Sequence, residues 1–226
     1  MKLNLPNFLS FFVSLLTPIA LIGLALRILL TPVYYTVEYS MPYFPADTYG
    51  FTKADRMQWA PYAVEYLVNS ADISYLGDLK FPDGTPLYNE RELSHMADVK
   101  GVVQGALWTW YISIALLILL AVSASRGGWM FEYMDALRRG GWWMIGLAVT
   151  LGVIAGAGIL LNPNIFWVFF AWFHSLFFTG DSWLFYYSDT LIRLFPIRFW
   201  QDAFLAAAII ALGSGLGMAL WIKPKL

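Results

Sequence analysis

Cysteine is absent from the 226 residues, which excludes disulfides, thiolate nucleophiles and cysteine metal sites together. Histidine is almost absent. His95 and His174 are the only two, and neither belongs to an HExxH or similar zinc-binding spacing. Charged residues make up only 13% of the chain, with a formal net charge of −1, so no basic field is available for a nucleic-acid partner. Internal repeats and low-complexity tracts are missing as well.

What remains is apolar: 59% of the residues are hydrophobic. They cluster into runs over Phe8 to Leu30, Val102 to Ala124, Trp142 to Leu161 and Ala203 to Ile222. A hydrocarbon core of roughly 30 Å needs about 20 helical residues, and each run meets that length. An all-α integral membrane protein with four transmembrane helices is therefore expected. Gly23-Leu24-Ala25 offers a small-x-small cleavage site, but the apolar stretch before it exceeds a signal-peptide core and continues to Leu30, so the first run is read as an uncleaved span.

Charge orients the four spans. Lys2, Arg126, Arg138, Arg139, Lys223 and Lys225 fall on one side, against the acids Glu132 and Asp135. The positive-inside bias of these short segments puts both termini in the cytoplasm. Residues 31–101 and 162–202, which carry most of the acids, are then extracytoplasmic. Ile165 to Phe178 is apolar but short, follows Asn162-Pro163 directly and runs into Gly180-Asp181. A run of this length suits an interfacial or re-entrant segment, and the Phe, Trp and Tyr that crowd residues 165–200, Trp183 and Trp200 among them, suit the headgroup level.

The outer lobe between the first two spans reads as a small α+β unit. Lys53 to Asn69 has the spacing of a helix with Trp59, Tyr62, Val64, Tyr66 and Leu67 available for burial. Leu76 to Tyr88 carries Pro82-Asp83-Gly84-Thr85 between two short runs, a hairpin signal. Asn89 followed by Glu92 fits an N-cap with its capping-box partner and predicts a helix from Glu90 to Lys100. The glycines Gly146, Gly152, Gly156 and Gly158, with Gly213, Gly215 and Gly217, are read as sites of close helix packing. Asp189 and Arg193, spaced i, i+4, are expected to pair.

On the predicted helix, Arg91 and Glu92 stand one turn before His95 and Asp98 one turn after, on one face. These charges could simply satisfy one another at a solvated helix start, and His174 in its aromatic run could be a buried histidine with a hydrogen-bond partner. Both histidines fall on the same predicted side of the membrane, however, where a pair with carboxylates nearby suits acid/base chemistry near neutral pH. Ser94 adjoins His95, but neighbouring helix positions do not face each other. A metal held by the two histidines with Glu92, Asp98 or Asp181 is a further option without the usual spacing.

The stretches YNERELSHMADVK (Tyr88 to Lys100), FHSLFFTGDSW (Phe173 to Trp183) and DTLIRLFPIRFWQDA (Asp189 to Ala203) resemble the bacterial lipoprotein intramolecular transacylase family, Lit, and its wider group of integral membrane proteins. The resemblance covers nearly the whole chain. It implies an acyltransferase of the bacterial cytoplasmic membrane, acting at the outer face on a diacylglyceryl lipoprotein among membrane lipids. The sn-2 acyl chain would pass to the substrate's own α-amine without cofactor or metal. The family histidines fall on His95 and His174. Glu92 or Asp98 would orient His95, and Asp181 would orient His174 or hold the ammonium. Arg91, Arg27 and Trp183 are expected to touch or position substrate, and the chain is expected to act as a monomer. The competing expectations are a non-catalytic scaffold or lipid-binding protein, and a metal-assisted lipid hydrolase.

Overall fold

Inside a bilayer, backbone N–H and C=O groups must bond within their own segment, which makes the helix the form available to an isolated apolar run. The computed structural model describes residues 5–162 and 164–222; Lys2, Pro163, Lys223 and Lys225 lie outside the described residues. Four helices are long and apolar enough to cross a membrane: α1 (Leu5–Leu29), α5 (Glu90–Gly127), α6 (Met130–Leu161) and α9 (Ile197–Trp221). Between them lie α2 (Pro32–Glu38), α3 (Lys53–Val68), α4 (Ser74–Gly77), α7 (Ile165–Phe177) and α8 (Thr190–Leu194). At 13 residues, α7 is too short to span.

The chain divides into two units. The described part of the first is residues 5–27, 106–162 and 206–222, almost all from the four long helices. Small residues set its packing. A Cβ on Gly140 would lie 2.4 Å from the Thr17 Cβ, and one on Gly141 would lie 2.7 Å from the Gly215 carbonyl oxygen, so these backbones approach as only glycine allows. Ser14 Oγ donates to the Ala136 carbonyl at 3.0 Å, which ties α1 to α6 at the same level. Of the glycines expected to pack closely, Gly215 does. Gly146, Gly152, Gly156, Gly213 and Gly217 have open space where a Cβ would stand, and Gly158 accepts from Asn162 N–H at the end of α6.

The second unit holds residues 28–105 and, as described, 164–205. Its main core joins Trp59, Ala63 and Tyr66 of α3 to Leu76, Leu87, Tyr88, Met96, Leu191 and Leu194. A second cluster gathers Tyr35, Tyr39, Ala60 and Phe199. Thr52 and Asp55 form a reciprocal capping box at the start of α3. No strand occurs among the described residues, so the unit is helical where an α+β lobe was expected. The expected hairpin reduces to one antiparallel bridge between Lys80 and Pro86. Pro82 and Pro86 lack the N–H groups a ladder needs; Phe81 N–H bonds to Thr85 and Leu87 N–H to Leu79 across the turn, and Gly84 N–H to Phe81 closes it.

Candidate active site

The predicted cap at Asn89 forms. Asn89 Oδ1 accepts from Glu92 N–H at 3.0 Å, and Glu92 Oε2 accepts from Asn89 N–H at 2.8 Å, which starts α5 at Glu90. The helix continues unbroken to Gly127, so its first turns rise ahead of the apolar stretch that begins at Val102. His95 sits there, 8% exposed. His174 sits in the last turn of α7, 9% exposed. The two imidazoles face each other with ring centroids 6.2 Å apart and planes 20° from parallel.

Aromatic rings enclose the pair. Phe178, where the chain turns extended after α7, touches both imidazoles, at 4.9 Å from His95 and 5.6 Å from His174. Phe185 packs edge-on against His95 at 5.2 Å. Trp183 and Phe170 cover His174 at 4.7 and 4.1 Å. Trp183, expected to touch or position substrate, packs against His174. Phe170, Phe178 and Phe185 were missed, although the helical spacing of 170, 174 and 178 was a usable signal.

The hydrogen bonds distinguish the rings. His174 Nδ1 lies 2.8 Å from the Phe170 carbonyl oxygen, one turn back in the same helix. A carbonyl only accepts, so Nδ1 carries a proton and the neutral ring keeps its lone pair on Nε2. His95 Nδ1 is buried and, among the described residues, has no hydrogen-bond partner. Removal from water disfavours the charged form of both rings. His95 is pushed down to about 4, by burial first and by His174 second. His174 is lowered by burial, and the Phe170 carbonyl opposes the shift. Two neutral imidazoles therefore share an apolar enclosure at neutral pH.

The expected carboxylate partners are elsewhere. Glu92, only 1% exposed, spends its second oxygen on Leu191 N–H at 2.7 Å, so it straps α5 to α8 and leaves His95 alone. Asp98 and Asp181 are exposed, and the Asp181 carbonyl accepts from Leu184 N–H. Arg91 pairs with Asp189 at 3.2 Å and lies over the rings of Tyr186 and Phe185, so it supports the wall beside His95. Asp189 is thereby taken from Arg193, which instead meets Asp47 at 3.0 Å. The expected Asp189–Arg193 pair is not made, because side chains from other segments offer each a closer partner. Arg27 belongs to the first unit, half-buried in the last turn of α1. Among the described residues no three of histidine, aspartate and glutamate gather as a metal site would require.

The chain is similar to known proteins over most of its length. An uncharacterized protein of Aquifex aeolicus (strain VF5) is 27% identical over 208 residues, which is 92% of this chain and 90% of that one. The structure of the membrane integral lipoprotein intramolecular transacylase Lit from Bacillus cereus superposes with a TM-score of 0.75 at 20% identity, covering 94% of this chain and 92% of that one. The same protein with one histidine mutated to arginine gives 0.67 at 18% identity, over 94% and 88% of the two chains. At that identity the structures speak for the fold. The family model of the lipoprotein intramolecular transacylase Lit matches residues 10–200. With that match spanning most of the sequence, the chain belongs to the Lit family of lipoprotein intramolecular transacylases and is a membrane acyltransferase.

Proposed function

We propose that this acyltransferase moves the sn-2 acyl chain of a diacylglyceryl-cysteine lipoprotein to the substrate's own N-terminal α-amine by acid/base catalysis on His174 and His95. The observation that carries the reading is the facing, buried pair of neutral imidazoles with different hydrogen-bond states. Exchange of an ester for an amide is downhill, so the task is kinetic. At neutral pH the α-amine, with a pKa of about 7.7–8.0, is largely protonated.

His174 takes the base role. Its free Nε2 lone pair accepts the ammonium proton, and the Phe170 carbonyl stabilises the imidazolium that results. The amine nitrogen attacks the sn-2 carbonyl carbon. His95, whose burial keeps it neutral, serves as a hydrogen-bond donor to the developing oxyanion, where a dry site makes such a donor most effective. The tetrahedral intermediate collapses as the C–N bond is kept and the C–O bond to glycerol breaks. His174 returns its proton to the departing glyceryl oxygen, then takes the second surplus proton from the nitrogen and passes it to water, giving the neutral N-acyl lyso-form. Because ester and amine belong to one molecule, positioning alone supplies on the order of 7–11 kcal/mol of the barrier.

The charge bias argues for both termini in the cytoplasm of a bacterium and for the histidines at the outer face. The apolar wall of Phe178, Phe185 and Trp183 then serves to keep water from the ester. Mass spectrometry of lipoproteins from a bacterial host lacking its own N-acylating enzyme tests the reading. Expression of this chain should yield N-acylated lyso-form lipoprotein, and expression of His174→Ala should not. Diacyl lipoprotein with a free amine in both cases would refute it.

A further inference from the structure

The second unit contains a cavity of about 120 Å³ away from the histidine pair. Its walls include Pro45, Tyr187, Ile192 and Pro196, and two guanidinium groups and one carboxylate line it: Arg56, Arg193 and Asp47. The carboxylate is already committed. Asp47 Oδ2 accepts from Arg193 Nε at 3.0 Å and from Phe51 N–H at 2.7 Å. Arg193 also donates to the Tyr49 carbonyl and lies over the Phe51 ring at 3.5 Å.

Arg56 lies over the Phe44 ring at 4.9 Å but has no hydrogen-bonded carboxylate among the described residues. It is 5% exposed, donates to the carbonyls of Arg193 and Pro45 at 2.9 and 2.8 Å, and among the described residues joins no ion pair. A cation removed from water is stabilised only in part by neutral carbonyls. Burial works against it most and the neighbouring Arg193 charge also does, while Tyr39 and Asp47 offset this in part. The cavity is thus lined with one net positive charge, and guanidinium forks are suited to tetrahedral oxyanions.

Position narrows the anion. Pro196 stands seven residues before Ala203, where the apolar stretch of α9 begins, about 10 Å along a helix axis at 1.5 Å per residue. That is close to the headgroup layer of a bilayer. The anions held at that depth are phosphodiesters, which keep a single negative charge at any working pH. We propose that the Arg56–Arg193 cavity binds one phosphodiester, as the headgroup of a bilayer lipid. The diacylglyceryl thioether of the proposed transacylation substrate has no phosphate, so the two sites take different ligands and their tests are independent.

The experiment measures the Tm of the purified protein in maltoside micelles with phosphatidylglycerol, with diacylglycerol as the phosphate-free control, or with glycerophosphoglycerol as the soluble diester. Thr48 is an exposed residue of the cavity wall. Thr48→Glu would bring an internal carboxylate to the two guanidiniums and compete with the ligand, while Thr48→Gln adds similar bulk without charge. Phosphatidylglycerol should raise the Tm of wild type and Thr48→Gln by about 2–4 °C near saturation, with no shift from diacylglycerol and none in Thr48→Glu. An equal shift from glycerophosphoglycerol supports the phosphodiester site with a free ester as occupant. No shift from either phosphate, or the same shift in Thr48→Glu as in wild type, overturns it.

Discussion

His174 Nδ1 is held at 2.8 Å by the carbonyl of Phe170, the residue one turn behind it in the same short helix. This one contact separates two otherwise similar imidazoles. It fixes the protonated nitrogen of His174 and favours its cation, while His95, 6.2 Å away, has a buried Nδ1 without a hydrogen-bond partner among the described residues. The proposed base and the proposed neutral donor share one apolar enclosure.

Replacing either histidine by alanine is expected to lower N-acylation of a model lipoprotein by about 10²–10⁴-fold while the protein stays monodisperse and helical by circular dichroism. His95→Asn, which keeps a donor, should recover part of the rate; His174→Asn, which lacks a basic nitrogen, should not. Rates of lyso-form production, read by mass spectrometry, check both.

Stability should depend on pH through His95. Its folded pKa lies at about 4, below the unfolded value near 6.5, so the unfolded chain binds more protons in that window. The contribution is fully present above about pH 6.5 and is lost as pH falls towards 4, by at most about 1.4 kcal/mol per pH unit. Tm series in detergent should therefore lose slope between pH 6.5 and 4.5 in His95→Asn.

Glu38 should show the opposite dependence. It is 4% exposed, and burial, then the Asp202 carboxyl beside it, raise its pKa to about 7, while Arg198 works against the shift. The folded chain holds the proton from its ordinary carboxylate range up to about 7, so stability falls as pH rises through that interval. Glu38→Gln removes this loss. Its Tm at pH 8 should exceed that of wild type, with little difference at pH 4.5.

Glu92→Ala removes the acceptor for both Asn89 N–H and Leu191 N–H and is expected to cost about 2–3 kcal/mol, seen as a lower Tm. Amide hydrogen exchange should rise at the first turn of α5 and at α8. Glu92→Gln keeps one acceptor and should fall between the two.

Gly141→Ala would drive a methyl group to 2.7 Å from the Gly215 carbonyl and is expected to destabilise by about 1–3 kcal/mol. Gly152→Ala meets open space and should leave the Tm unchanged or higher. Thermal unfolding of the pair in one detergent reads the contrast.

Much of the fold was legible because it is local. The four long helices follow from run length, and the start of α5 follows from Asn89 and Glu92 three residues apart. Partners distant in sequence were not legible. Glu92 was assigned to His95 on helical spacing, yet its free oxygen goes to Leu191, 99 residues away. Asp189 and Arg193 have the spacing of a pair but answer to Arg91 and Asp47. Glycine counting marked α6 in the wrong places, since Gly140 and Gly141 matter only through Thr17 and Gly215. The histidines were found by their scarcity, whereas the rings around them became specific only once Phe178 was seen to touch both.

The anchor of the proposed base is main chain. A carbonyl oxygen belongs to every amino acid, so changing the residue at position 170 alters the packing over the imidazole and leaves its proton acceptor standing. The tautomer at position 174 is therefore inherited from the helix itself, and alignments of related chains could vary freely at 170 without recording that anything had been preserved.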